Sequence, residues 1–192
     1  GNTFLGSETG AGGTTATQLT TGIRNTIVGA FVTMDSTSAN NGNVFGNGVS
    51  GAGGFTTLGQ DTADIRAENG VATWNTVSDE RFKKDIVDST AGLSFINALQ
   101  PRTFKYKTLS ELPETFSAYK ADSTDVFKNS YTNHGFIAQE VKAAIDAESG
   151  LKDGFKLWGE RADGSQEIGE AALIPMLVKA VQEQNALIEA LT

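Results

Sequence analysis

The 192-residue chain has no cysteine, which excludes disulfides, thiol nucleophiles and cysteine-based zinc sites. It has a single histidine, so a multi-histidine metal site or a Ser-His-Asp triad would have to be built around His134 alone. No metal or other cofactor is expected. Basic residues are outnumbered, 15 Lys and Arg against 23 Asp and Glu, for a formal charge of −8. That balance disfavours nucleic acid and anionic membranes as partners. No apolar run is long enough to span a bilayer, and no basic-then-apolar segment opens the chain, so membrane insertion is not expected. The first residue is Gly rather than Met, from which a piece of a longer protein is expected.

What is present divides the chain in two. Residues 1–77 hold 15 of the 22 glycines and seven charged residues, whereas residues 78–192 hold all three prolines and the other 31 charges. The change falls just after Trp74-Asn75-Thr76-Val77. In the first region, Asn2-Thr3-Phe4-Leu5-Gly6 and Asn25-Thr26-Ile27-Val28-Gly29 are near copies. Asn43-Val44-Phe45-Gly46 and Thr56-Thr57-Leu58-Gly59 are looser ones, and the closing glycines are 23, 17 and 13 residues apart. Each unit reads as a short β-run punctuated by Gly, Asn and Thr, which suits strand–turn–strand stacking. Few large apolar residues are available to bury. Such a segment is expected to be unstable as a lone monomer, and stable where several chains wrap together and share one core. The alternative is a disordered Gly/Thr linker. Gly46 to Gly51 matches a GxGxxG pattern, but more glycine follows where a dinucleotide site needs a helix.

The second region reads as mixed α and β. Leu93–Leu99 forms a short helix stopped before Pro101. Arg102–Lys107 alternates as a strand with Phe104 and Tyr106 on one face. Residues 108–132 read as a polar insertion or long loop, and Gly135–Ala138 leads into a helix over Gln139–Ile145. The clearest periodicity comes last. Ile174, Leu177, Val181, Gln184, Ile188 and Leu191 follow the 3-4-3-4-3 spacing of a coiled-coil seam. Leu173, Ala180 and Leu187 add a flanking row, and so broad a stripe serves a three-helix bundle as well as a dimer. Pro175 is tolerable only in the first turn. The competing reading is a helix packed on its own domain.

Chemistry concentrates in Trp74–Ile86, on the composition boundary. Ser78, followed by Asp79 and Glu80, reads locally as a helix N-cap. The functional reading is a Ser78–Lys83 pair. A serine hydroxyl is a poor nucleophile until a base takes its proton. Lysine serves as that base only when neutral, a form that burial and the neighbouring Lys84 and Arg81 favour. On a regular helix, however, a five-residue step turns about 140° around the axis. The pair therefore needs a bend, a non-helical start, or a lysine from a neighbouring chain.

This stretch resembles the signature of the endosialidase-type intramolecular chaperone, the self-cleaving domain of phage tail spikes and tail fibres. The pattern Asn-Thr-x-Ser-Asp-x-Arg-x-Lys, followed by Lys and Ile, is met by Asn75, Thr76, Ser78, Asp79, Arg81, Lys83, Lys84 and Ile86. The family's second block is matched by His134-Gly135-Phe136-Ile137-Ala138-Gln139-Glu140-Val141, and its third by Leu173–Ala180, leading into the terminal coil. The resemblance implies an α+β fold. Residues 1–77 would be the Gly/Thr/Asn-rich β-repeat stem of a fibre or spike. Residues 78–192 would be the chaperone domain, ending in a coiled coil over 171–192, and the whole would assemble as an interwound homotrimer. It implies cleavage at Val77–Ser78, with Ser78 attacking the Val77 carbonyl and Lys83 as general base. Asp79, Arg81, His134 and Glu140 are supporting candidates; the carboxylates read more readily as caps and ion pairs, and His134 as a surface or partly buried histidine. The partners implied are the chain itself, upstream fibre or spike domains and, through the parent protein, a host surface receptor or glycan. The place implied is the virion tail, after synthesis in the bacterial cytoplasm, with the chaperone domain released on cleavage. Two alternatives stand beside this: a non-cleaving trimeric fibre tip or adhesin module of the same fold, and a Ser-Lys hydrolase acting on other proteins.

Overall fold

The computed structural model describes residues 1–10, 19–151 and 155–192, in two units, Gly1–Asp85 and Ile86–Thr192. Short helices and several small sheets make it an α+β protein.

In the first unit the apolar runs become strands: β1 (Thr3–Leu5), β2 (Thr26–Ala30), β3 (Thr33–Met34), β4 (Asn43–Asn47), β5 (Ser50–Gly51), β6 (Phe55–Gln60) and β7 (Ala63–Glu68). Strands β1, β2, β4 and β6 lie side by side in parallel, and β7 closes the sheet antiparallel to β6. The register aligns the near copies. Phe4, Ile27, Val44 and Thr57 fall in one file, and Gly29, Gly46 and Gly59 in another. At Gly29 (φ 133°) and Gly46 (φ 156°) a Cβ would collide with the carbonyl oxygen of the next glycine in the file. Only glycine meets both the dihedral angle and the close approach. The GxGxxG pattern is thus strand, turn and strand, with β5 where a nucleotide site needs a helix.

Strands β3 and β5 pair in parallel as a second small sheet. Ile27 and Val44 from the first sheet, with Val32, Met34 and Val49, are at most 1% exposed. A core shared among chains was the expectation; the structure places one inside the single chain. Parallel stacking brings equivalent apolar positions of successive rungs together, so few large residues suffice.

One position in that core is poorly matched to it. Buried Asn25 is satisfied: its amide donates to the Ala39 carbonyl (2.8 Å) and Asn2 Oδ1 (3.1 Å), and its oxygen accepts from the Gly42 N–H (2.8 Å). Thr57 is fully buried, and its hydroxyl has no hydrogen-bond partner among the described residues. Thr57→Val keeps the shape and removes the stranded group. It should stabilise the first unit by about 1 kcal/mol, read as slower amide exchange in β4 and β6. Faster exchange would show that the hydroxyl has a partner.

The second unit comprises α1 (Leu93–Ala98), β8 (Arg102–Phe104), β9 (Asn133–Gly135), α2 (Ala138–Ala147), β10 (Trp158–Glu160), β11 (Gln166–Ile168) and α3 (Ile174–Glu189). The pairs β8–β9 and β10–β11 are antiparallel. Helix α2 buries Val141, Ala144 and Ile145 on one face. Phe95, Leu99 and Leu157 meet them, together with Leu173, just before α3, and Met176 in its first turn; Ala180, farther along α3, is also buried. Farther along α3, Glu183 accepts the Leu93 N–H at 2.7 Å and caps α1, where Gly92 has no side chain to do so. Pro175 sits in the first turn of α3. One face of α3 therefore packs on its own unit. The seam residues Ile174, Leu177, Val181, Gln184, Ile188 and Leu191 lie off that face and are all exposed.

Residues 108–132 are held at several points. Thr108 and Glu111 form a capping box around a short 3-10 turn, and Thr108 bridges to Val126. Phe127 packs edge-on against Tyr106, and Tyr106 against Phe104. The backbone and hydroxyl of Ser117 donate to Asp163 at 2.9 and 2.8 Å. Asp163 also accepts the Ser165 hydroxyl and N–H, and these donors hold its carboxyl far below the usual carboxylate range.

Candidate active site

Asp79 sets the local geometry. Its extended backbone (φ −68°, ψ 137°) leads into a single 3-10 turn, Glu80–Phe82, and its Oδ1 accepts the Arg81 N–H at 2.8 Å. The same carboxylate takes Arg81 Nε at 2.9 Å and Nη2 at 2.7 Å. That fork holds the Asp79 carboxyl below its usual range and pushes Arg81 up. The N-cap expected at Ser78 is therefore Asp79. A carboxylate can serve the backbone donor and the guanidinium together, and Ser78 is left free. The Arg81 charge, expected to crowd Lys83, is paired instead.

The turn ends at Lys83, again extended (φ −118°, ψ 151°). One tight turn between extended residues brings Lys83 Nζ to 2.7 Å from Ser78 Oγ and 3.1 Å from the Ser78 carbonyl oxygen. The separation that a regular helix would impose is closed by a non-helical start, within one chain. Just upstream, Asn75 exchanges both backbone hydrogen bonds with Arg66 of β7, at 2.7 and 2.9 Å. The Thr76 hydroxyl donates to the Asp64 carbonyl at 3.3 Å. The residues before Val77–Ser78 are thus tied to the sheet edge. Sequence reasoning missed this anchor, because every acceptor and donor on β7 is main chain and no residue type there marks it.

Residues 78–150 match the family model Peptidase_S74, chaperone of endosialidase. Over those residues the chain is similar to the chaperone-of-endosialidase family. The family's description carries a chaperone role, and its label a peptidase class. No curated protein and no solved structure matches the chain.

The chaperone match opens on Ser78 and takes in the His134–Val141 block; it stops short of Leu173–Ala180 and α3. Ser78, Asp79, Arg81 and Lys83 converge at its first residues. The other two supporting candidates stand in the second unit. His134 is exposed on β9, opposite Thr103. Glu140, in the first turn of α2, receives Arg102 Nε and Nη2 at 3.0 and 2.8 Å, which holds its carboxyl below the usual range. Glu140 is thus engaged as an ion pair. Among the described residues no group of His, Cys, Asp and Glu is arranged to hold a metal ion. Among the described residues no helix is long and apolar enough to cross a membrane.

Proposed function

We propose that this chain trimerises as the intramolecular chaperone of a phage tail fibre or spike, registers upstream β-structure, and then releases itself by cutting Val77–Ser78. The observation that carries the reading is the 2.7 Å contact between Ser78 Oγ and Lys83 Nζ at the first residue of the chaperone match.

Ser78 Oγ attacks the carbonyl carbon of Val77 as neutral Lys83 takes the hydroxyl proton. The C–N bond breaks, and the proton passes to the Ser78 nitrogen. Val77 is then an ester on Ser78 Oγ, which water hydrolyses to separate the pieces. Nucleophile and carbonyl belong to adjacent residues. Positioning of this kind is worth an effective molarity on the order of 10⁵–10⁸ M, so modest activation suffices for one turnover. In the single chain, Lys83 is exposed between exposed Val77 (61%) and Phe82 (79%). Contact of these apolar neighbours with partner chains would dry the lysine and favour its neutral form, which ties cleavage to assembly.

The exposed α3 seam supports the trimer. A coil finds its partners locally and raises the effective concentration of the attached stems, whose non-local strand pairing is slow. Cleavage then leaves a kinetically trapped product. The place that follows is the virion tail, with a receptor or glycan bound through the parent protein.

Denaturing electrophoresis and N-terminal sequencing of freshly expressed protein test the proposal. A fragment beginning Ser-Asp-Glu-Arg is expected, and it should vanish in Ser78→Ala. Persistent full-length protein, unchanged by that substitution, would instead support a fibre tip that stays attached.

A further inference from the structure

The five-stranded sheet of the first unit has two faces, and only one of them lines the core. Ile27, Val44 and Thr57 point inward and are fully buried. On the opposite face the register sets Leu5, Val28, Phe45, Leu58 and Ile65 in one file, one residue from every strand. Leu5, Phe45, Leu58 and Ile65 are 37–65% exposed. Strands lie about 4.8 Å apart, so the file is an apolar ridge roughly 19 Å long. The outward positions beside it are Thr, Asn, Gln and Ala, and none is charged. Strand β7 shows the preference directly. Its charges, Asp64, Arg66 and Glu68, all sit on the other face, and Ala63, Ile65 and Ala67 sit on the ridge face. A strand with one wet face turns its apolar side away from water. By that rule the ridge face is the covered one, and within the chain Ile65 remains 42% exposed.

We propose that this ridge packs against the same ridge of two other copies of the chain, so that the stems associate through their outward sheet faces while each keeps its own core. Charge selects the occupant. Each copy carries −8, so copies repel one another, and contact between them needs a surface free of like charge. The ridge face is such a surface. Nucleic acid or an anionic surface would need basic residues, which it lacks. Around a symmetry axis an uncharged file can meet its own counterparts without setting like charge against like charge. The inference rests on the trimer reading above and adds the surface through which the stems meet.

The absence of native cysteine makes the test direct. Leu58→Cys, Phe45→Cys, Ser38→Cys and Ile188→Cys are each introduced alone into the full chain carrying Ser78→Ala, which keeps the stem attached. After mild oxidation, non-reducing electrophoresis should show cross-linked chains for Leu58→Cys or Phe45→Cys, and for Ile188→Cys in the α3 seam. Ser38→Cys, exposed on a turn away from the ridge, should stay uncross-linked. Cross-linking at Ile188→Cys with neither ridge variant would overturn the ridge contact and leave the trimer standing. A single-copy mass by light scattering, with no cross-link anywhere, would overturn both.

Discussion

Lys83→Arg is expected to lose cleavage at Val77–Ser78 as completely as Lys83→Ala, by about 10³-fold or more, the usual scale for a positioned general base. Arginine keeps the positive charge and the reach needed to hydrogen-bond Ser78 Oγ, but a guanidinium does not give up its proton. A lysine that only held the hydroxyl by charge and position would be replaceable by arginine. The 2.7 Å contact to Ser78 Oγ suits either role, so the arginine variant separates them. The readout is the rate at which the fragment beginning at Ser78 accumulates after synthesis. Cleavage by Lys83→Arg within a few-fold of the parent rate would rule lysine out as the base.

Leu177→Asp is expected to convert trimers to monomers without unfolding the second unit. Leu177 is 46% exposed within its own chain, so it adds little to that core. In a three-helix coil it would meet its two counterparts. Each lost apolar contact costs about 1.5–3 kcal/mol, and three per trimer weaken association by roughly 10³- to 10⁶-fold. Met176→Asp, one residue earlier, alters a side chain that is 8% exposed and packed against Phe95 and Leu173. It should unfold the second unit, because an unpaired carboxylate has no partner there. Light scattering and circular dichroism distinguish the outcomes: lost mass with retained helix for Leu177→Asp, lost helix for Met176→Asp. A trimer that persists in Leu177→Asp would show that the seam is not the contact.

The two helix variants also show where sequence stops being informative. The 3-4 spacing from Ile174 to Leu191 was legible, and so was the limit on Pro175, since both are local properties of a helix. Which neighbouring stripe meets the domain was not legible. Met176 and Ala180 are buried and Glu183 caps α1, and a helical period that fits both stripes does not choose between them. At the candidate site the residue types and order were legible, down to Ser78 and Lys83. Their 2.7 Å approach was not, because it depends on a single 3-10 turn, capped by Asp79 and ended at extended Lys83.

The sequence by itself determined the glycine-closed rungs, the change of character after Val77, the Ser78–Lys83 motif and the terminal heptads. Each is a pattern of residue types at short separations, where backbone preference and side-chain chemistry act directly. Only the tertiary structure decided that Ile27 and Val44 face a core within the chain while Phe45 and Leu58 face outward, that Asp79 rather than Ser78 caps the turn, and that Asn75 and Thr76 are tied to β7. Those outcomes depend on strand register and on which groups compete for the same donors, and distant parts of the chain settle both at once.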